Sequence, residues 1–365
     1  MKSNPHADAL EAAKLFDIGG HVVSIEALER GHIHETYIAT SETPDGKQRS
    51  LVQRINGHVF RDVPGLMHNI QEVTQHLRRE SWRAVGDIET LTLIPSFKGR
   101  SYLNHARGAW RCYRFIEDTC TFDRCEGPDQ AYAAALAFGN FQARLLDLDP
   151  RGLVETIPDF FSSPYRLRQF DAALWADPEG RAAMAAEEVE FVLERRRELD
   201  VMEHGVAQGR IPLRAIHGDT KLNNILFDQK NGRPRCIVDL DTCMPGWSLY
   251  DFGDLVRFTA ATAAEDEQDL SRVGVNLELY QALSAGWLES TQAFMTHDEM
   301  ELMPFAARLV TLTVGIRFLT DHLAGDTYFR THRDGHNLDR ARVQFTMVRQ
   351  MERQQAEMAA RVARA

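Results

Sequence analysis

His217-Gly218-Asp219-Thr220-Lys221-Leu222-Asn223-Asn224 spells H-x-D-x-K-x-x-N, and the residue types at those offsets suit phosphoryl transfer. The Asp219 carboxylate can accept a proton from an attacking hydroxyl. Lys221 can lie beside a transferring phosphate and offset its charge, and Asn224 can offer an amide oxygen to Mg²⁺. His217 is expected to hold the loop through hydrogen bonds rather than to move a proton. H-x-D with a nearby Asn also arises by chance in long chains, so the reading rests on the residues beyond Asn224.

Ile225-Leu226-Phe227 and Cys236-Ile237-Val238 are short apolar runs flanking Asp228 to Arg235, and Asn231-Gly232 between them marks a turn. Such a hairpin returns the chain to the edge it left and delivers Asp239-Leu240-Asp241 next to the Asn224 amide. A Mg·ATP site needs few protein ligands, because phosphate oxygens and water complete the shell. Asp239 is therefore the expected direct ligand, with Asp241 behind it or bridging, in the place held in protein kinases by the D-F-G aspartate. The alternative is a surface hairpin with acidic ends. It requires base, amide and carboxylate to fall into order by accident.

The block from His217 to Asp254 resembles the aminoglycoside phosphotransferase and choline kinase superfamily of small-molecule kinases. Within it, HGDTKLNNILF…IVDLDTCMPGWSLYDFGDLVRF is most similar to bacterial N-acetylhexosamine 1-kinases. The resemblance implies ATP- and Mg²⁺-dependent phosphorylation of O1 of N-acetylglucosamine or N-acetylgalactosamine. It implies an α+β, two-lobe protein-kinase-like fold, with Mg·ATP in the cleft between lobes. A small antiparallel-sheet N-terminal lobe would span residues 1–117 and a mostly helical C-terminal lobe residues 118–365. It also implies that Asp251 braces the catalytic loop by accepting backbone hydrogen bonds; helix N-capping by Asp251 or Asp254 is the alternative.

Composition agrees. A chain of 365 residues, 44% hydrophobic and 26% charged, can bury a sizeable core within two lobes. A net charge of −11 opposes a nucleic-acid partner, which normally needs a basic face. Cys112, Cys120, Cys125, Cys236 and Cys243 are an odd set without metal-ligand spacing and read as reduced thiols of a cytoplasmic protein. The first residues lack an apolar signal-peptide core, and the apolar stretch Phe305–Leu319 is interrupted by Arg308 and Arg317 and too short to span a bilayer.

In the N-terminal lobe a helix over Asp8–Leu15 is expected, then strands at His21–Leu28, His34–Thr40, Ser50–Ile55, Ile88–Ile94 and Trp110–Ile116. The link with Gly31 holds the position of a phosphate-covering loop, although an ordinary hairpin turn reads the same. Arg54 occupies the place of the kinase strand lysine, where the resembling choline kinases carry Arg and a guanidinium can clamp phosphate oxygens. A solvated arginine is the alternative. Glu72 or Glu80, on a helix over Leu66–Glu80, could pair with Arg54. Glu117–Thr121 would form the hinge, and Asp129–Leu148 a helix with Ala135, Phe138, Phe141 and Leu145 in the core.

For the acceptor, Arg317 and Asp321 stand four apart on an apolar helix followed by Tyr328-Phe329. Polar groups beside aromatic faces suit a sugar, and an intrahelical ion pair is the competing reading. By resemblance Phe258, Arg317 and Tyr328 fall where sugar contacts would lie, with His32 closing over them. Rival acceptors are choline, an aminoglycoside or another sugar, although Arg317 opposes a cationic one. A nucleotide-binding pseudokinase is the rival from another class, and the intact Asp219, Lys221, Asn224 and Asp239 oppose it.

Overall fold

The computed structural model describes residues 5–28, 33–79, 88–106 and 108–365. In chain order, α1 (Pro5–Ala13) precedes β1 (His21–Ala27), β2 (Glu35–Thr43), β3 (Gly46–Ile55), α2 (Val63–Arg79), β4 (Tyr102–His105), β5 (Gly108–Arg114) and β6 (Thr119–Cys120). Helices α3 (Pro128–Arg144), α4 (Ser163–Ala176), α5 (Ala186–Arg195) and α6 (Val201–Ala207) follow. Short strands β7 (Arg214–Ile216), β8 (Ile225–Asp228), β9 (Pro234–Ile237) and β10 (Met244–Gly246) come next. The chain ends in α7 (Ser248–Thr259), α8 (Leu277–Thr291), α9 (His297–Leu323), α10 (His336–Arg353) and α11 (Gln355–Val362). The architecture is α+β: an antiparallel-sheet N-terminal lobe and a helical C-terminal lobe.

Two compact units make up the chain, both discontinuous. One comprises residues 1–120, 147–158 and 226–245, the other residues 121–146, 159–225 and 246–365. The first unit thus takes in the 147–158 segment and the hairpin after the catalytic loop.

In the first unit the strands run antiparallel in the order β1-β2-β3-β5-β4. The β2–β3 turn needs Gly46, whose φ is +118°, and Thr43 Oγ1 closes it by donating to the Gly46 carbonyl at 2.8 Å. Residues directly opposite across an antiparallel pair share a face. Tyr37 and Ala39 therefore lie with Val52, Trp110 and Cys112, and α1 buries Ala9, Ala12 and Ala13 against them, joined by Phe16 just beyond the helix. The other face carries Thr36, Gln53 and Arg111.

The fourth strand of this sheet is Tyr102–His105, not the expected Ile88–Ile94. That segment forms only isolated bridges, Glu89 to Cys236 and Leu93 to Tyr113. Its backbone divides between two partners, Glu89 N–H on the Arg235 carbonyl and Ile94 N–H on the Cys112 carbonyl, so no continuous ladder can form.

Helix α2 buries Leu66, Ile70, Val73 and Leu77 at helical spacing, and Asp62 accepts from the Gly65 N–H at its start. Buried Asn69 pins it, donating to the carbonyls of Val154 and Cys243 and accepting from the Val154 N–H. Thr156 Oγ1 donates to the Asp241 carbonyl at 2.9 Å. Residues 154–156 thus brace the Asp239–Cys243 segment inside the same unit.

The second unit is built around α9. Its Thr296–Glu299 capping box starts the helix, and Glu299 also takes the buried Arg214 guanidinium. Gly253 lets α7 approach it closely: a Cβ there would sit 2.7 Å from the Ala306 carbonyl oxygen. At 27 residues α9 exceeds the apolar stretch legible in the sequence and is long and apolar enough to cross a membrane by length and composition. Yet 78% of its most apolar window is buried in the unit, as in a core helix. Helix α3 buries Ala135, Phe138 and Phe141, with Leu145 buried just beyond its end.

Candidate active site

The catalytic loop lies in the second unit, stapled to the first turns of α7. Asp251 Oδ2 accepts from the His217 N–H at 2.9 Å and Oδ1 from the Gly218 N–H at 2.7 Å. Gln142 Nε2 donates to the same carboxylate, and Thr220 Oγ1 donates to the Asp251 carbonyl. Asp254 Oδ2 accepts from the Thr220 N–H, while its Oδ1 takes Arg257 Nε at 3.0 Å. His217 is fully buried, edge-on to Phe138 and Phe141 at 5.3 and 5.6 Å, so it packs and positions. Gly218, at φ +81°, turns the chain so that Asp219 leaves this network and half-emerges.

Lys221 Nζ stands 2.8 Å from Asp219 Oδ1. Asn224 Nδ2 donates to Asp219 Oδ2 at 3.0 Å and to the Asp219 carbonyl at 2.8 Å. Burial opposes ionisation of Asp219, but the Lys221 ammonium outweighs it and holds the carboxyl below its ordinary value. Asp219 and Asp254 together overcome the burial of Lys221 and raise its pKa. The pair is ionised at neutral pH: a carboxylate able to orient a hydroxyl and take its proton, beside a cation able to meet a phosphate. With Nδ2 of Asn224 committed to Asp219, its Oδ1 is the atom left for a cation.

In the first unit, Asp239 and Asp241 have different surroundings. Asp241 is buried, with Arg111 Nη1 on Oδ1 at 2.6 Å, Arg111 Nη2 on Oδ2 at 3.0 Å, and His34 Nε2 against Oδ2. Burial would raise its pKa, but Arg111 and then His34 hold it far below the usual carboxylate range. His34 Nδ1 accepts from the Asn56 N–H, so Nε2 carries the proton toward Asp241. Asp241 is therefore removed from the direct metal ligands: a bidentate guanidinium and an imidazole occupy its oxygens. Asp239 is exposed, with a left-handed backbone at φ 60° that non-glycine residues rarely adopt.

The positions of Arg54 and Glu72 differ from those expected. Arg54 lies on the sheet face covered by α1 and pairs with Glu35 at 3.0 Å, while the face bearing Arg111 presents Gln53. One residue of register decides this, because neighbours along a strand point to opposite faces. Gln53 Oε1 accepts from Arg111 Nε, and Gln53 Nε2 donates to Thr36, so the cation beside the Asp239–Asp241 segment is Arg111. Glu72 is exposed on α2 and, among the described residues, forms no ion pair. Gly31, His32 and Glu80 lie outside the described residues.

Around Arg317 the intrahelical pair does not form. Asp321 accepts from the N–H groups of Thr327, Tyr328 and Phe329 and from Asn337 Nδ2, which makes it the organiser of the loop after α9 rather than a substrate contact. The Arg317 guanidinium lies over Phe160 at 5.1 Å and over Phe329 at 5.5 Å. Tyr328 is largely exposed beside Phe329, and Phe258 is half-buried on α7. Buried Tyr250 sits within electrostatic reach of Asp254, Arg317, Arg257 and Asp219, linking the Arg317 region to the catalytic loop.

Arg111, His34, Gln53, Arg166 and Phe160 escaped the sequence reading. Arg111 did leave a signal, a charge inside an apolar strand, which is stable only when paired.

Among the described residues no three His, Cys, Asp or Glu side chains cluster as a metal cage. Mg²⁺ travelling with a nucleotide needs none; one exposed carboxylate and an amide oxygen are the hard donors it takes. Each of these oxygens, taken by itself, is of the kind that ion accepts.

The phosphotransferase enzyme family model matches residues 24–285, which span the sheet, the catalytic loop, Asp239 and α7. The chain belongs to the phosphotransferase enzyme family. Its fold is similar to that of a microcompartment-associated aminopropanol kinase, with a TM-score of 0.62 at 16% identity over 97% of this chain and 98% of that one. It is also similar to an aminoglycoside phosphotransferase from Alicyclobacillus acidocaldarius, with a TM-score of 0.61 at 11% identity over 100% and 98%. A third similar structure is the GDP complex of aminoglycoside 2'-phosphotransferase-IIIa, with a TM-score of 0.55 at 13% identity over 93% and 97%. At such identities these likenesses establish the protein-kinase-like fold.

Proposed function

We propose that the chain transfers the γ-phosphoryl group of ATP to a hydroxyl of a small molecule, with O1 of an N-acetylhexosamine as the preferred acceptor. The observation that carries the transfer is Asp219, kept ionised by Lys221, oriented by Asn224 and half-exposed on a loop that Asp251 and Asp254 hold rigid. Asp219 orients the acceptor hydroxyl and takes its proton as the oxygen forms its bond to the γ-phosphorus. The bond from that phosphorus to the β,γ-bridging oxygen breaks, and ADP leaves with the electron pair. Lys221 meets the charge spread over the transferring group, and catalysis is mainly positioning and charge stabilisation. The Asn224 amide oxygen and the exposed Asp239 carboxylate are each hard donors of the kind Mg²⁺ takes, and each would be a ligand to it. When bound, that ion neutralises charge on the β- and γ-phosphates.

The sugar reading is supported by Arg317 set between the Phe160 and Phe329 rings with Tyr328 exposed beside them. Guanidinium donors suit hydroxyl and acyl oxygens, and aromatic faces suit a sugar's C–H face. The aminopropanol of one similar kinase carries an amine, and a guanidinium in the acceptor region opposes a cation of that kind. The decisive experiment is ADP release with Mg·ATP and a panel of N-acetylglucosamine, N-acetylgalactosamine, choline and an aminoglycoside. Phosphorylation of an N-acetylhexosamine at O1, lost in Asp219→Asn, is expected. Turnover of choline alone would move the acceptor class, and nucleotide binding with no turnover of any acceptor would make the chain a pseudokinase.

A further inference from the structure

The second unit pairs its buried arginines with acids. Arg214 takes Glu299, Arg257 takes Asp254 and Glu265, and Arg308 takes Glu198 and Glu352. Buried Arg166 breaks that rule, and the cation beside it is Arg317. Arg166, near the start of α4, is only 9% exposed. Its Nη1 donates to Gln169 Oε1 at 2.8 Å and its Nη2 to the Phe160 carbonyl at 3.3 Å, while its buried Nε has no acceptor. Arg317, half-buried on α9, rests on Phe160 and Phe329, and among the described residues it has neither a hydrogen bond nor an ion pair.

Both guanidinium groups lie against the same ring, Phe160, with centroid distances of 6.0 Å for Arg166 and 5.1 Å for Arg317. Burial first, then the like charge of Arg317, holds the Arg166 pKa down to about 10, still well above neutral pH. A buried charge without a counterion is costly, and two side by side add repulsion. The nearby catalytic-loop charges do not compensate them, because Asp219 is matched by Lys221 and Asp254 by Arg257. Tyr250 lies within electrostatic range of Arg166, Arg317 and Asp219.

We propose that Arg166 and Arg317 form an anion subsite, so that the acceptor is a sugar carrying a carboxylate or a phosphate besides the hydroxyl that is phosphorylated. Planar guanidinium forks match either oxyanion. The flanking Phe160, Phe329 and Tyr328 rings cover the sugar's apolar face. This substrate class rests on the phosphotransferase reading above, and the test separates the two.

Calorimetric titration of the full chain compares N-acetylglucosamine with its O3 carboxyalkyl ether, N-acetylmuramic acid, and with N-acetylglucosamine 6-phosphate; phosphoryl transfer to each is measured in parallel. At least one acidic sugar is expected to bind about tenfold or more tightly than the neutral one, the increment of a charged hydrogen bond, and to lose the advantage in high salt. Which one does so distinguishes carboxylate from phosphate. Arg166→Gln should erase the difference, and Arg166→Lys, which keeps the charge and controls for folding, should retain part of it. Equal binding of neutral and acidic sugars, or a preference that survives Arg166→Gln, overturns the anion subsite even if the neutral sugar is phosphorylated. Tight Arg166-dependent binding of an acidic sugar with no transfer to any acceptor leaves the subsite standing and removes the kinase reading.

Discussion

Arg111 and Asp241, far apart in the chain, meet inside the first unit as a bidentate pair at 2.6 and 3.0 Å. The pair holds Asp241 inward while Asp239, two residues earlier, stays exposed. Removing Asp241 leaves the buried Arg111 without its counterion, and removing Arg111 leaves Asp241 with the His34 imidazole as its remaining side-chain partner. Arg111→Met and Asp241→Leu should each destabilise the chain by about 3–5 kcal/mol, and the double variant by clearly less than the sum. Additive losses in denaturant titrations would mean that the two do not stabilise each other.

Asp239→Ala should abolish turnover at ordinary Mg²⁺ and weaken Mg·ATP binding while leaving thermal stability nearly unchanged, since the side chain is exposed. Calorimetry with ATP, with and without Mg²⁺, checks this. If Asp241→Ala instead removes metal-dependent binding in a stably folded chain, the ligand assignment is reversed.

Asp219→Asn should lower kcat by on the order of 10² or more with little change in ATP affinity. Because Lys221 holds the Asp219 carboxyl below its ordinary value, protonation of this base should set in only below the usual carboxylate range. An acid limb of kcat near pH 6 that vanishes in Asp219→Asn would contradict this environment.

Arg317→Ala should raise KM for the acceptor by a factor on the order of 10 to 100, the loss of a charged donor, and leave KM for ATP nearly unchanged. No carboxylate partner is abandoned, because Asp321 is engaged with Thr327, Tyr328 and Phe329. Asp321→Ala should act differently, unfolding earlier in a thermal scan as those N–H groups lose their acceptor. An unchanged acceptor KM in Arg317→Ala would take Arg317 out of the pocket.

Glu203 carries a pKa pushed up to about 7, chiefly by burial of its carboxyl, which contacts with Ser162 and Ser163 offset only in part. The folded state therefore holds this proton more tightly than the unfolded chain, whose carboxyl titrates near about 4.3. Its contribution to stability is fully present below that value and is lost as pH rises toward 7. Glu203→Gln should raise Tm at pH 8 relative to the parent, with the gain shrinking toward pH 5. A gain of equal size at both pH values would show that ionisation of Glu203 is not the cause.

By itself the sequence determined the catalytic loop, the hairpin beyond it and the order of most elements. These are written in contiguous residues: a base, a cation and an amide at short offsets, a turn at Asn231-Gly232, and apolar periods of two or of three to four. Even the cradle of His217 was legible in part, since Phe138 and Phe141 fell on the core stripe of a helix. Tertiary structure decided what depends on partners remote in sequence. Asp239 and Asp241 read alike until Arg111 and His34 occupy one of them. Arg54 and Gln53 are neighbours in the chain, and only the pairing register and the helix laid on one face decide which of them shares a side with Arg111. Tyr102–His105 became the edge strand, and Ile88–Ile94 did not, because the latter's backbone groups are divided between two separate partners. The uncompensated charge of Arg166 likewise exists only in the fold, since a guanidinium lacks a counterion only once burial has removed water and neighbouring elements have supplied no carboxylate.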